Sequence, residues 1–266
     1  MLLRNVTRTI YPSVEITQST QDLSANTTAF VLTTAEFLYV GFQDRFASRY
    51  FKMGTANTNS ANLTVEYYNQ QNTWAEVEDL VDQTNGFTQD GFINWQNKND
   101  WKAFKQTPID DVALYWVRIS TDADLSAGTT IQSVINLYSD DEMLRIYYPE
   151  LITDSRYLPD SRTDFLEQHQ SAKELVVLRL KQRKLISREG QIIDINEVAQ
   201  AAVHATAYLI LNPIATNDTT REMADRAFQN FQLEIKETNL SIDQSGDGVV
   251  SEAERRDISS TFVARR

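Results

Sequence analysis

The apolar positions change their spacing near the middle of the chain. Up to about residue 140, short apolar, β-branched and aromatic runs alternate with polar residues, as strands with one buried face do. The alternation predicts strands over residues 29–32, 37–42, 49–53, 63–68, 73–77, 92–95, 113–120 and 130–137. Turn-forming stretches lie between them at residues 57–61, 69–72, 85–86, 90–91 and 122–128. Asn85-Gly86 and Asp90-Gly91 supply the positive φ that tight turns require. Short strands cut by turns, with no long helical pattern among them, predict an antiparallel β-sandwich, jelly-roll-like in its winding. Trp74, Trp95, Trp101 and Trp116 all fall in this half, where packing between sheets is their expected role.

Beyond about residue 160 the apolar residues recur at helical spacing. A first helix is predicted over residues 163–185, with Leu166, Leu175, Val176, Leu178 and Leu180 on its apolar side. A second begins at Asp194, where Asp194-Ile195-Asn196-Glu197 has the spacing of a capping box. Val198, Ala201, Ala202, Ala205, Tyr208 and Leu209 follow on one face, and Pro213 ends the helix. A third begins near Thr219 and buries Met223, Ala227, Phe228, Phe231 and Ile235. Residues 141–160 contain Pro149 and Pro159 and read as a linker. The expected fold is therefore α+β: a β-sandwich domain over residues 1–140, the linker, and a helical domain over residues 161–266. Three helices make a thin core. The Ala-rich face of the second helix permits close helix approach, so it is expected to pack against copies of the same chain.

Composition narrows the chemistry. The 266 residues include no cysteine, which excludes disulfides, thiolate metal sites and cysteine nucleophiles. The net charge is −12, and most of it sits early: residues 1–150 hold 10 Lys and Arg against 19 Asp and Glu, residues 151–266 hold 15 against 18. Such a chain does not attract phosphate backbones, and it suits a surface past which DNA slides, although solubility alone accounts for the charge. Residues 1–10 carry Arg4 and Arg8 without a long apolar core, so no signal peptide is expected there. No apolar run approaches the ~20 residues of a membrane-spanning helix, and no membrane partner is expected.

The sharpest local motif lies at residues 243–254, which fit the twelve-residue EF-hand loop. Asp243, Ser245, Asp247 and Ser251 place side-chain oxygens at loop positions one, three, five and nine. Gly248 stands where the loop bends, Val249 would offer its carbonyl, and Glu254 would be the bidentate last ligand. Ca²⁺ wants six to eight hard oxygens, and three carboxylates offset its charge. Ser245 stands where Asp or Asn is usual, and a polar connection between helices would use the same residue types. A bound Ca²⁺ is expected to act as a structural staple.

Catalytic constellations are not evident. His169 and His204 lie on different predicted helices, and His204 sits among alanines as a packed residue would. A Ser–His–Asp arrangement is not excluded by spacing, but the chain has no Gly-x-Ser-x-Gly elbow, no Gly-rich phosphate loop and no HExxH. The acidic pairs Asp110/Asp111 and Asp140/Asp141 fall in apparent turns, where carboxylates serve local hydrogen bonding. Lys181, Arg183, Lys184 and Arg188 follow the first long helix, where cations complement the negative helix end. No enzymatic activity is expected.

Two segments carry a resemblance. The Ala-rich helix ending Ala207-Tyr208-Leu209-Ile210-Leu211, the break, the helix through Ala224 and Phe231, and the acidic loop at residues 243–254 resemble the helical head–tail adaptor (connector) proteins of tailed phages, over about residues 155–256. Leu38-Tyr39-Val40-Gly41-Phe42, Val65-Glu66-Tyr67-Tyr68-Asn69, Trp74, residues 84–91, Asp100-Trp101 and Tyr115-Trp116-Val117-Arg118-Ile119 resemble β-sandwich domains of phage tail and baseplate proteins, over about residues 25–138. The resemblance implies a virion structural protein at the head–tail junction. It implies a homo-oligomeric ring, dodecameric in this family, seated on the portal protein and joined to downstream neck and tail proteins. DNA would pass through its channel without specific binding. The family's C-terminal tail docks on the portal, which here implies Ile258, Phe262, Arg265 and Arg266. The large N-terminal sandwich departs from the simple adaptor. An alternative is a tail or baseplate module that binds carbohydrate or a receptor through sandwich aromatics such as Tyr67, Tyr68 or Trp95.

Overall fold

The computed structural model describes residues 7–11, 16, 27–105, 113–158, 162–238 and 240–243. They fall into two compact units that divide between Asn136 and Leu137. The first is built of antiparallel strands, the second of helices, so the chain is mixed α+β with the strands first.

The described strands are β1 (Thr7–Ile10), β2 (Thr28–Ala29), β3 (Leu38–Phe42), β4 (Ser48–Thr55), β5 (Leu63–Tyr68), β6 (Trp74–Glu76), β7 (Glu78–Asp82), β8 (Gly91–Gln96), β9 (Tyr115–Thr121) and β10 (Thr130–Ile135). They form two five-stranded sheets, ordered β1-β3-β9-β5-β6 and β2-β10-β4-β8-β7. Alternation decides what each strand buries. Leu38, Val40 and Phe42 of β3, Val65 and Tyr67 of β5, and Val117 and Ile119 of β9 point to the core from the first sheet. Phe51 and Met53 of β4, Ile93 and Trp95 of β8, and Ile131 and Val134 of β10 join the same core from the second. In β10 the register shifts between Ile131 and Ser133, a bulge that lets Ile131 and Val134 both face inward.

The outer face of the first sheet carries a smaller apolar layer. Trp116 lies opposite Gly41 in the β3–β9 pairing and covers it: a Cβ on Gly41 would come within 2.8 Å of the indole ring. Ile10 and Leu114 complete the buried part, with Tyr39, Trp74 and Phe104 packed around it. Burying an indole requires a hydrogen-bond partner. Trp95 Nε1 donates to the Phe46 carbonyl (2.9 Å), Trp101 Nε1 to that of Trp116 (3.1 Å) and Trp116 Nε1 to that of Phe104 (3.1 Å).

Two strands were hidden from the sequence pattern. β7 reads Glu78-Asp79-Leu80-Val81-Asp82, and β1 reads Thr7-Arg8-Thr9-Ile10. Both are sheet edges; β7 is largely exposed, so apolar alternation is not enforced there, and β1 is four residues with Ile10 as its one large apolar side chain, too short to show a period. The strand expected over residues 29–32 ends at Ala29. Phe30 and Leu32 are buried, but their main-chain groups bond to Thr129 and Leu125 as loop.

The helical unit contains α1 (Asp141–Tyr147), α2 (Pro149–Thr153), α3 (Leu166–Gln182), α4 (Asn196–Leu211) and α5 (Asp218–Glu237). α5 starts where the Asn217 side chain accepts from the Thr220 N–H (2.9 Å). α4 ends at Leu211, and Pro213 sits in the 3-10 turn that follows. The expected capping box does not form. Asp194 Oδ1 accepts from the Asn196 N–H (2.9 Å), while Glu197 turns away to bind the Ser241 N–H (2.6 Å) and hydroxyl (2.7 Å).

Two expectations are corrected here. Residues 141–158 are not a linker: Leu144 of α1 and Leu151 of α2 are fully buried against Val203, Ala207, Ile210 and Leu211 of α4. Those extra helices supply the cover that three helices lack. The Ala-rich face of α4 is therefore not left for another copy. Residues 201–207 are all buried, which spans about two turns and so every side of the helix. Helices α3 and α5 and the α1–α2 pair of the same chain enclose it.

Candidate functional site

A buried polar cluster of the helical unit lies where α1 begins. Asp140 caps α1, its Oδ1 accepting from the Met143 N–H (2.9 Å). The next residue, Asp141, faces His169 of α3, with Oδ1 3.1 Å from Nε2. On the other side of the ring, Nδ1 meets the Ser139 hydroxyl at 2.8 Å and the Thr206 hydroxyl of α4 at 3.2 Å. Thr206 donates its own proton to the Ala202 carbonyl (2.9 Å), the usual back-bond of a helical threonine. The sequence placed the Asp140/Asp141 pair in a turn. Instead it opens a helix, and one carboxylate caps while the other orients an imidazole.

These are the groups of a Ser–His–Asp relay, but their burial gives them a different use. Ser139 is 0% exposed and His169 1%, so the hydroxyl has no open approach for a substrate carbonyl. As placed, the cluster ties the start of α1 to α3 and α4. Burial pushes the Asp140 carboxyl above its ordinary pKa, against the Met143 N–H and the nearby His169, which pull it down. A raised carboxylate favours the fold while protonated, so its contribution is full at low pH and is lost as pH rises through its folded value. Asp140→Asn keeps an acceptor for the cap and removes the charge. Its thermal midpoint is expected to exceed that of wild type at pH 7, with the gap closing below about pH 4. A midpoint below wild type at pH 7 contradicts this.

The residues expected to hold calcium are only partly placed. Asp243 is buried and main-chain bonded: its N–H donates to the Gln191 carbonyl (3.2 Å), and its carbonyl accepts from Gln191 Nε2 (3.1 Å). The preceding Ile242 bridges Ile192 in antiparallel fashion. Gln191 is itself fixed, its Oε1 accepting from the Ser187 N–H (2.7 Å) and the Arg188 N–H (3.1 Å). The helix before the loop, α5, ends at Glu237, so residues 238–242 separate it from Asp243. Ser245, Asp247, Val249, Ser251 and Glu254 lie outside the described residues, as do Ile258, Phe262, Arg265, Arg266, Asp110 and Asp111. Among the described residues no group of three or more His, Asp or Glu is arranged to hold a metal ion.

Other singled-out residues have structural partners. Arg183 donates to the Ile235 and Lys236 carbonyls, so it caps the end of α5 and not that of its own helix. His204 Nδ1 pairs with the Tyr148 hydroxyl (2.7 Å), and burial holds its pKa below the ordinary value. Of the aromatics considered for carbohydrate, Tyr67 and Trp95 are core residues. Tyr67 donates to Asp100 Oδ1 (2.9 Å), and burial with that carboxylate pushes its pKa up to about 12. Tyr68 lies on the outer face, but its ring packs on Phe104 (4.0 Å) and Trp74 (5.4 Å) and is not a free platform.

Among the described helices none is long and apolar enough to cross a membrane. No family model matches the chain, and no curated protein matches it.

Proposed function

We propose that the chain is a virion structural protein of a tailed phage: a head–tail adaptor without enzymatic activity that assembles as a ring on the portal and joins it to the tail. The observation that carries this reading is where large apolar side chains remain exposed. Of the six such residues among those described, Ile146, Tyr147, Leu178, Ile214 and Leu233 belong to the helical unit and Val81 to the strand unit. A unit that has closed its own core and still presents this surface is suited to meeting other proteins. The subunit contacts move from the Ala face of α4 to these outer positions. The ring, the portal contact through the tail near Ile258, Phe262, Arg265 and Arg266, and the place at the head–tail junction come from the sequence resemblance.

The strand unit is read as a jelly-roll-like sandwich that projects outward. Its sheet orders support this: in β2-β10-β4-β8 and β3-β9-β5-β6 the chain passes from one sheet to the other at each step except the β5–β6 hairpin, as the winding of a jelly roll requires. A single core drawing side chains from both sheets supports the sandwich.

Ile146→Glu and Leu178→Glu test the carrying observation. Both positions are half exposed or more, so each variant should fold with a stability within about 0.5 kcal/mol of wild type. Each should nevertheless lose incorporation into virions. Wild-type incorporation by both would refute the surface assignment.

Calcium is proposed as a staple in the loop that starts at Asp243. Since Asp243 is fastened to Gln191, an ion there would tie the C-terminal segment to the α3–α4 connection. Saturating Ca²⁺, at 100 times its Kd, would add about 2.7 kcal/mol. The melting midpoint should rise by several degrees over that in chelator, and Glu254→Gln should abolish the rise. Superimposable melts with and without chelator would rule the staple out.

A further inference from the structure

Asn85-Gly86 is the one Asn-Gly pair in the sequence. Such a pair reacts with itself when the glycine nitrogen attacks the side-chain carbon of the asparagine, because glycine has no Cβ to hinder the approach. The nitrogen gives its proton to solvent base, the N–Cγ bond forms, the Cγ–Nδ2 bond breaks and ammonia leaves. Water then opens the succinimide at either carbonyl, giving aspartate or isoaspartate. Burial does not prevent this at residue 85, since Asn85 is exposed. What stands against it is the engagement of the nucleophile. The Gly86 N–H donates to Asp82 Oδ2 at 2.8 Å, and Gly86 itself is buried. That carboxylate is fixed in turn, its Oδ1 accepting from the Thr84 N–H (2.8 Å) and hydroxyl (2.6 Å). Removing the Gly86 proton would set a second negative charge against it, which is disfavoured. The leaving amide is held as well, with Asn85 Nδ2 donating to Thr88 Oγ1 at 3.1 Å.

We propose that Asn85 is a modification site gated by folding. In the folded chain it stays an amide, because Asp82 holds the Gly86 N–H. In a chain whose loop has opened it converts to isoaspartate, and the loop cannot take that residue back. Isoaspartate adds a methylene to the main chain, and this segment has no room for one. Asn85, Gly86 and Phe87 are all left-handed, and the Ala61 carbonyl oxygen would stand 2.2 Å from a Cβ on Gly86. Asn57 ties the same stretch from the other side, through the carbonyls of Gly86 (2.9 Å) and Phe87 (2.8 Å). The reaction therefore marks, in one direction, chains that have spent time unfolded. Its consequence is a population in which the molecules that hold their fold are also the ones that keep the amide. The site does not depend on the adaptor reading.

Peptide mapping of the full chain by mass, after incubation in mildly alkaline buffer with and without denaturant, tests it. Conversion of amide to acid at residue 85 should be at least about tenfold slower in the folded chain, because reaction has to wait for the loop to open. Asp82→Ala should bring the folded rate most of the way to the denatured one. If the alanine variant does not fold, Asp82→Asn, which keeps an acceptor for the same N–H and drops the charge, should still raise the rate by a smaller factor. Chains left to react in denaturant and then refolded should carry isoaspartate at residue 85 in the fraction that fails to fold, and not in the fraction that folds. Equal wild-type rates with and without denaturant, an unchanged rate in a folded Asp82 variant, or isoaspartate at residue 85 in the folded fraction overturns the gate.

Discussion

Gly86→Val should abolish the fold of the strand unit. Gly86 has φ +69°, between Asn85 at +50° and Phe87 at +64°, so three successive residues lie in the left-handed region. Any side chain there costs about 1–2 kcal/mol, and a β-branched one more. The larger effect is steric. A Cβ on Gly86 would stand 2.2 Å from the Ala61 carbonyl oxygen, and main chain cannot step aside as a side-chain tip can. The segment has no slack, because the Gly86 N–H donates to Asp82 (2.8 Å), its carbonyl accepts from Asn57 (2.9 Å), and the Phe87 carbonyl accepts from the Asn57 N–H (2.8 Å). Moving it withdraws Phe87, a fully buried ring set edge-on to Phe30 and Phe51. Strain, clash and lost core packing together should exceed about 4 kcal/mol, a large part of a domain's total stability. Tryptophan fluorescence and thermal unfolding would read it. A variant melting within about 2 °C of wild type would show that this loop is not built as described.

The second large effect distinguishes a closed helical unit from one that leaves its alanines for a neighbour. Ala202→Leu combined with Ala207→Leu enlarges two positions of α4 that are both 0% exposed. Overpacking costs about 1–3 kcal/mol at each such site, so the double variant should lose about 2–6 kcal/mol. The loss must appear in the isolated chain at low concentration, because its own α3 and α5 and the α1–α2 pair provide the crowding. Were this face a subunit contact, the isolated chain would keep its stability and only assembly would fail. Unfolding by denaturant at two protein concentrations separates the cases.

Much of the framework could be read from residue order. Strands with strict alternation, such as Leu63–Tyr68, declare which face is buried, and Asn85-Gly86 declares the turn between β7 and β8. The edge strands β7 and β1 were silent because the first is largely exposed and the second, four residues long, is too short to impose a pattern. The α1–α2 pair was obscured by Pro149, which reads as a break yet is favourable at the first position of a helix, where it stands. The error over α4 has a more general cause. A stripe of small residues says that something comes close, and cannot say whether that neighbour belongs to the same chain. The hydrogen-bonded cluster around His169 was the least legible feature. Ser139 and Asp141, His169, and Thr206 come from three separate stretches, and only the packing of α1, α3 and α4 brings them to one ring. The calcium motif stands at the other extreme: its pattern is clear in sequence, and Asp243 is its single ligand among the described residues.

The adaptor reading meets its most direct test in solution mass. The purified chain, mixed with the portal protein of its own virus, should join it in one closed, symmetric complex with many copies of the chain per portal ring. A chain that keeps the 30.4 kDa mass of a single copy at every ratio, with and without portal, would contradict the account.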